Sequence, residues 1–285
     1  MGMRRRDFFG ALAASAVFPA PSALRAQPLF RLALTPVFLD NDAAVIERLR
    51  DALSVGMGRD VDLVQRRTYQ EITGALLDGS VDAAWVCGYP FLQHRGQLSL
   101  LGVPVWRGQP RYQSYLITSA GDGAASLEDL RGGMHAFSDP DSNSGFLVTA
   151  SDLARMGETP DSFFARTLFT WGHRNVVRAV AGGLVRSGSV DGYVWQALAA
   201  VDPDLVARTR IVSRSEWLGF PPFAARTDRM DDPAVMTLQR ALLGMDRMPA
   251  GRKALDLLFL DRIAEPDVRL FDGIAARMAE LGQAG

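Results

Sequence analysis

From residue 30 onward, short apolar runs alternate with longer segments whose apolar residues recur every three or four positions, the order of a mostly parallel sheet covered by helices. Residues 30–34, Phe-Arg-Leu-Ala-Leu, read as a first strand that Thr35-Pro36 stops. Within 43–55, Ala44, Ile46, Leu49, Ala52 and Leu53 fall at helical spacing, and Gly56-Met57-Gly58 ends the helix. A strand over 61–64 follows, then a helix over 69–77 closed by Asp78-Gly79. An apolar strand over 81–86 emerges at Cys87-Gly88-Tyr89-Pro90, and a strand over 98–103 completes the unit.

After a β-rich run at 112–118 and a small, polar stretch at 119–123, the pattern restarts. It predicts a strand over 134–137, a helix over 145–156, a strand over 167–169, a helix over 175–185, and a strand at 192–194 that leads into a helix through 200. The chain is expected to return near 210–213, with helices near 233–243, 252–258 and 267–281 packing back on the first unit. The fold class is therefore α/β in two lobes, 27–117 with 213–285 and 118–212, closing about crossings at 115–119 and 210–213. Open α/β sheets bind ligands at the carboxyl ends of their strands, which places the expected site between the lobes.

The start of the chain changes where this fold is expected to work. Arg4-Arg5-Arg6-Asp7-Phe8-Phe9 precedes an apolar run over 10–18, too short to span a bilayer, and a Pro- and Ala-rich stretch ending near Ala23 to Ala26 supplies small residues for cleavage. Residues 1–26 thus read as an export signal, twin-arginine-like in its Arg-Arg-Asp-Phe-Phe order, which sends the mature chain to the periplasm. No later stretch is long and apolar enough to span a membrane. Lys and Arg number 31 against 32 Asp and Glu, so no global basic field points to nucleic acid, and an anion site must be local. The only cysteine, Cys87, cannot form an internal disulfide.

The segment Phe137-Ser138-Asp139-Pro140-Asp141-Ser142-Asn143-Ser144-Gly145 leaves a strand through small polar residues and opens a helix. The first N–H groups of a helix lack partners, the macrodipole is positive there, and Ser and Asn side chains add donors, so the segment suits an anion. The alternative is that Ser142 or Ser144 only caps the helix. His173, at another strand-to-helix junction, offers a ring N–H, and Asp191 can accept from the protonated oxygen of an acid oxyanion. Each also reads as a cap or turn residue. Tyr69, before a helix, and Tyr89, after a strand, would offer a hydroxyl each, although aromatic residues at such ends commonly complete a core.

In order and spacing these segments resemble the phosphonate-binding family of periplasmic substrate-binding proteins. The resemblance covers most of the mature chain. It runs through Thr35-Pro36, Tyr69, Asp78-Gly79-Ser80-Val81-Asp82-Ala83-Ala84-Trp85, Tyr89-Pro90, Ser126-Leu127-Glu128-Asp129-Leu130-Arg131-Gly132, Ser142-Asn143-Ser144-Gly145, Gly172-His173 and Val190-Asp191-Gly192. It implies a type 2 periplasmic binding protein fold with a double crossover, and capture of a small phosphorus oxyanion (phosphonate, phosphite or phosphate-like) for an ABC transporter permease. The family's loop usually reads Ser-Thr-Ser-Gly. Mapped here it implicates Ser142, Asn143 and Ser144, with His173, Asp191, Tyr69 and Tyr89 as further contacts, and Asn143 stands where Thr is common.

Cys87, near the expected cleft, opens an alternative in which a thiophilic oxyanion such as arsenite is sensed and a sensor kinase is the partner; the plainer reading is a small buried residue at a strand end. Ser142 or Ser144, His173 and Asp191 contain the residue types of a hydrolytic triad, but no Gly-x-Ser-x-Gly elbow surrounds either serine, and the chain is not expected to be an enzyme. Neither a cofactor nor a metal is expected, and a monomer is the default. Trp171, Trp195 and Tyr193 are expected to crowd the cavity and favour small ligands.

Overall fold

The computed structural model describes residues 29–35 and 43–283; the export segment 1–26 and Pro36 lie outside the described residues. In chain order the strands are β1 (Phe30–Leu34), β2 (Val61–Gln65), β3 (Ala83–Trp85), β4 (Leu98–Val105), β5 (Arg111–Tyr112), β6 (Ser114–Ser119) and β7 (Met134–Phe137). They continue as β8 (Arg166–Phe169), β9 (Ser187–Asp191), β10 (Thr209–Arg214), β11 (Leu218–Gly219), β12 (Phe223–Arg226) and β13 (Arg262–Ala264). One sheet has the order β13-β4-β12-β3-β1-β2 and the other β10-β6-β9-β7-β8. Within the first, β1 runs parallel to β2 and β3, and the strands contributed after the return, β12 and β13, run antiparallel. In the second, β7 lies parallel between β8 and β9, β6 pairs antiparallel with β9, and β10 pairs antiparallel with β6.

Two sheets that each need cover on both faces give two lobes. In β1 every side chain but Arg31 is buried. The helix Tyr69–Leu77 starts at a capping box, in which Thr68 accepts from the Glu71 amide while the Glu71 carboxylate accepts from the Thr68 amide. The turn after it needs Gly79, whose φ of +79° a side chain would strain. Pro233 opens the helix Pro233–Leu243, with Asp232 accepting from the Ala234 amide.

The crossings differ from expectation. Residues 115–119 and 210–213 belong to β6 and β10, which pair with each other inside the second sheet, Tyr115 opposite Arg214 and Ser119 opposite Thr209. The chain passes between the sheets at 106–113 and 215–222 instead, where β5 and β11 form a two-stranded ribbon. The expected lobe boundaries at 117/118 and 212/213 therefore fall within strands of one sheet. The cause is burial with pairing on both edges: β6 lies between β9 and β10 and is buried at every position except its last, so it cannot bend as a hinge.

The C-terminal helix Asp272–Glu280 touches both lobes. Buried Arg277 donates through Nε and Nη2 to Glu216 in the return crossing, and through Nη1 to Val148 O, Ser151 Oγ and Asp152 Oδ1 of the second lobe. Arg155 of that lobe donates to Glu280. On the side of the first lobe, a Cβ on Gly88 would meet Ile274 Cδ1 at 2.7 Å, which shows how closely the helix packs there.

Candidate functional site

The carboxyl ends of β3, β7, β8 and β9 and the start of the helix after β2 meet between the lobes. After β7 the chain runs through Ser138 and Asp139 into a widened turn, Asn143–Leu147, in which the Leu147 amide reaches back to Ser142 O, five residues away. Such π-type turns cluster at functional positions because they splay the backbone. Ser142 caps the turn by accepting from the Gly145 amide at 3.0 Å. Gly145 is required by contact: a Cβ there would lie 1.8 Å from Ser138 Oγ.

His173 is held at both ring nitrogens. The Asp191 amide donates to Nδ1 at 3.0 Å, so the neutral ring carries its hydrogen on Nε2 and donates it to the Tyr69 hydroxyl oxygen, 3.1 Å away. Burial lowers the imidazole to about 3, which keeps it neutral. Tyr69 then retains its own hydroxyl hydrogen as a donor, and burial raises the phenol well above its ordinary value. The Tyr69 amide donates across the lobes to Asp139 Oδ2 at 3.1 Å.

Asp191 caps the helix Gly192–Val201, and both bonds, from the amides of Tyr193 and Val194, fall on Oδ1. Burial raises this carboxyl to about 7 and also raises Asp139. Asn143 donates its amide N–H to Cys87 Sγ at 3.3 Å and its Nδ2 to the Tyr112 hydroxyl at 2.8 Å. Ser138 Oγ, Asn143 Oδ1 and Ser144 Oγ are buried without a hydrogen-bond partner in the protein. None of the side chains gathered here is a lysine or an arginine.

The structure thus brings Tyr69, Ser142, Asn143, Ser144, His173, Asp191 and Cys87 into one buried cluster. Tyr89 is buried beside it, and its hydroxyl is engaged by Gln283, donating to Oε1 at 2.6 Å. His173 differs from expectation in that its N–H serves Tyr69. The residue types of a triad do not form one, since Asp191 meets His173 through a backbone amide and its carboxylate caps a helix. The expected crowding by aromatic residues is also corrected. Trp171 is 46% exposed, Trp195 donates to Thr209, and Tyr193 donates to Leu258 O. Sequence reasoning passed over Ser138, Asp139 and Tyr112. The first two stand in the loop it singled out, whereas Tyr112 carries no signal before its crossing strand is placed beside Asn143.

A family model described as ABC transporter, phosphonate, periplasmic substrate-binding protein matches residues 32–270. The chain belongs to that family. This phosphonate-type periplasmic binding protein is the substrate-binding component of an ABC transporter, not an enzyme, and its partners are a small ligand and a permease. Among solved structures it is similar to the binding protein component of an ABC phosphonate transporter from Pseudomonas aeruginosa, with 21% identity, 90% of this chain and 87% of that one covered, and a TM-score of 0.82. PhnD1 from Prochlorococcus marinus, in complex with methylphosphonate, is similar at 14% identity, coverage of 90% and 98%, and a TM-score of 0.78. The fold is the type 2 periplasmic binding protein fold.

Proposed function

We propose that this binding protein captures a small, singly protonated phosphorus oxyanion, a phosphonate or phosphite, between its closed lobes and delivers it to the permease. The observation that carries the reading is the set of buried polar atoms without protein partners, Ser138 Oγ, Asn143 Oδ1 and Ser144 Oγ, at the mouth of a widened helix start. Tyr69 adds a hydroxyl donor oriented by His173. Asp191, which burial raises to about 7, is ionised in part near neutrality, and in that form it accepts from the hydroxyl that a phosphorus acid retains and a sulfur acid does not. Bonds from both lobes favour the closed form, and ligand contacts would add to that preference.

Nothing in the cluster favours the arsenite and sensor-kinase alternative. The Cys87 thiol is pushed up to about 12 by burial and engaged by the Asn143 amide, so it is not the thiolate that a thiophilic ligand requires.

A thermal-shift panel on the mature protein tests the reading with phosphite, methylphosphonate, aminoethylphosphonate, phosphate, sulfate and arsenite. A ligand at about 100 times its dissociation constant adds about 2.7 kcal/mol of apparent stability. A shift with a phosphorus anion and none with sulfate is expected. A shift with sulfate as large as with any phosphorus anion, or one with arsenite alone that Cys87→Ser abolishes, would overturn it.

A further inference from the structure

We propose that Asn143 is a specificity-determining residue: its amide is tied at the nitrogen end by Tyr112, so that its carbonyl oxygen meets the ligand and accepts a hydroxyl proton from it. The inference rests on the oxyanion reading above and assigns the discrimination between protonated and unprotonated oxyanions to a named side chain outside the carboxylates.

Both nitrogens of Asn143 are engaged, Nδ2 by the Tyr112 hydroxyl and the backbone amide by Cys87 Sγ. The carbonyl oxygen Oδ1 has no partner, and the residue is fully buried between Ser142 and Ser144. A buried acceptor is costly to leave unpaired. An oxyanion without a proton would set oxygen against oxygen there, whereas a singly protonated acid supplies the missing O–H. A threonine at this position would carry one hydroxyl that donates or accepts by rotating. An amide turned with its nitrogen to Tyr112 presents its carbonyl oxygen on the opposite side.

Tyr112 makes that commitment from outside the ligand loop. It lies on β5, in the crossing between the lobes, fully buried with its ring edge-on to Phe220 at 5.6 Å. The amide is therefore oriented from the crossing segment, whichever anion enters.

The test is binding of methylphosphonate, by calorimetry near pH 6, and of methanesulfonate, by displacement, to the wild type, Asn143→Leu, Asn143→Thr and Tyr112→Phe. The two anions share a shape, and only the first keeps an acidic hydroxyl. Asn143→Leu is expected to weaken methylphosphonate about tenfold and to leave methanesulfonate no weaker. Asn143→Thr should restore methylphosphonate to within about threefold and strengthen methanesulfonate. Tyr112→Phe frees the amide to turn and should narrow the preference in the same sense, with Asn143 intact. An equal loss of both anions in Asn143→Leu would mean that an N–H faces the ligand, and no change in either would mean that the residue does not meet it; each result overturns the proposal. If the wild type bound sulfonate but no phosphorus anion, the proposed function would fail first and this inference with it. If phosphorus anions bound and only the Asn143 and Tyr112 effects were missing, the function would stand without it.

Discussion

Asp191 and His173 touch through one backbone amide and titrate in opposite senses. The Asp191 carboxyl, near 7 in the folded chain, stands above the ordinary carboxylate value of about 4. Between those pH values the native chain holds a proton that the unfolded chain has released, so its contribution to stability falls as pH rises, by about 1.4 kcal/mol per pH unit. His173 and His135, each lowered to about 3 by burial, behave the other way. From about 6.5 downward the unfolded chain takes up protons that the native chain refuses, and stability is lost on acidification. Urea midpoints between about pH 4.5 and 6.5 should therefore decline more steeply on acidification in Asp191→Asn than in the wild type, by about 1.4 kcal/mol per unit. In His135→Gln they should decline less steeply by a similar amount. Identical slopes in all three proteins would show that these groups titrate in the folded chain as they do in water. At this scale the sequence told where polar residues leave strands, which is why Ser142, Ser144, His173 and Asp191 were legible. It did not tell that the ring N–H of His173 points to Tyr69 or that the Tyr89 hydroxyl points to Gln283, because those directions depend on partners 104 and 194 residues away.

Among the elements, the widened turn Asn143–Leu147 depends on the absence of a side chain at Gly145. Gly145→Ala forces a Cβ against Ser138 Oγ and Ser142 Oγ, and it should abolish ligand-induced thermal shifts while lowering the unfolding free energy by roughly 1–3 kcal/mol. Ligand binding with wild-type affinity in this variant would refute the contact argument. The helices Tyr69–Leu77 and Pro233–Leu243 fell where apolar spacing and their end signals put them. The strand expected at 192–194 did not: Gly192–Val194 is the first turn of the helix that Asp191 caps, and the strand is β9 just before it. Its sequence, Ser-Gly-Ser-Val-Asp, looks like a loop yet is wholly buried. Ser187 and Ser189 are satisfied there by the two ring nitrogens of His135, at 2.8 and 2.9 Å, a partner no local pattern reveals. The strands β5, β11, β12 and β13, two to four residues long, are too short to carry a periodic signal.

Across the whole molecule, the two lobes and the return of the chain were legible because the strand–helix alternation restarts, while the crossings themselves were displaced, since pairing between β6 and β10 joins segments 90 residues apart, Ser119 with Thr209. The C-terminal helix links the lobes through Arg277, whose bonds reach the return crossing and the helix that follows the ligand loop. Arg277→Met leaves Val148 O and Ser151 without that partner and is expected to cost roughly 2–4 kcal/mol, read as a lower denaturation midpoint. An unchanged midpoint would show that the guanidinium is not a tie between the lobes. The absence of lysine and arginine from the cluster bears on kinetics as well as on recognition. Charged side chains would draw an anion in over a Debye length and make its capture rate fall as salt is added. In the cluster, neutral donors and helix-start amides stand beside the carboxyls of Asp139 and Asp191, with no cationic side chain among them, so anion association measured by stopped flow should not speed up as salt is lowered. A binding protein built in this way gives up cationic steering at the cluster and relies on short-range hydrogen bonds for capture.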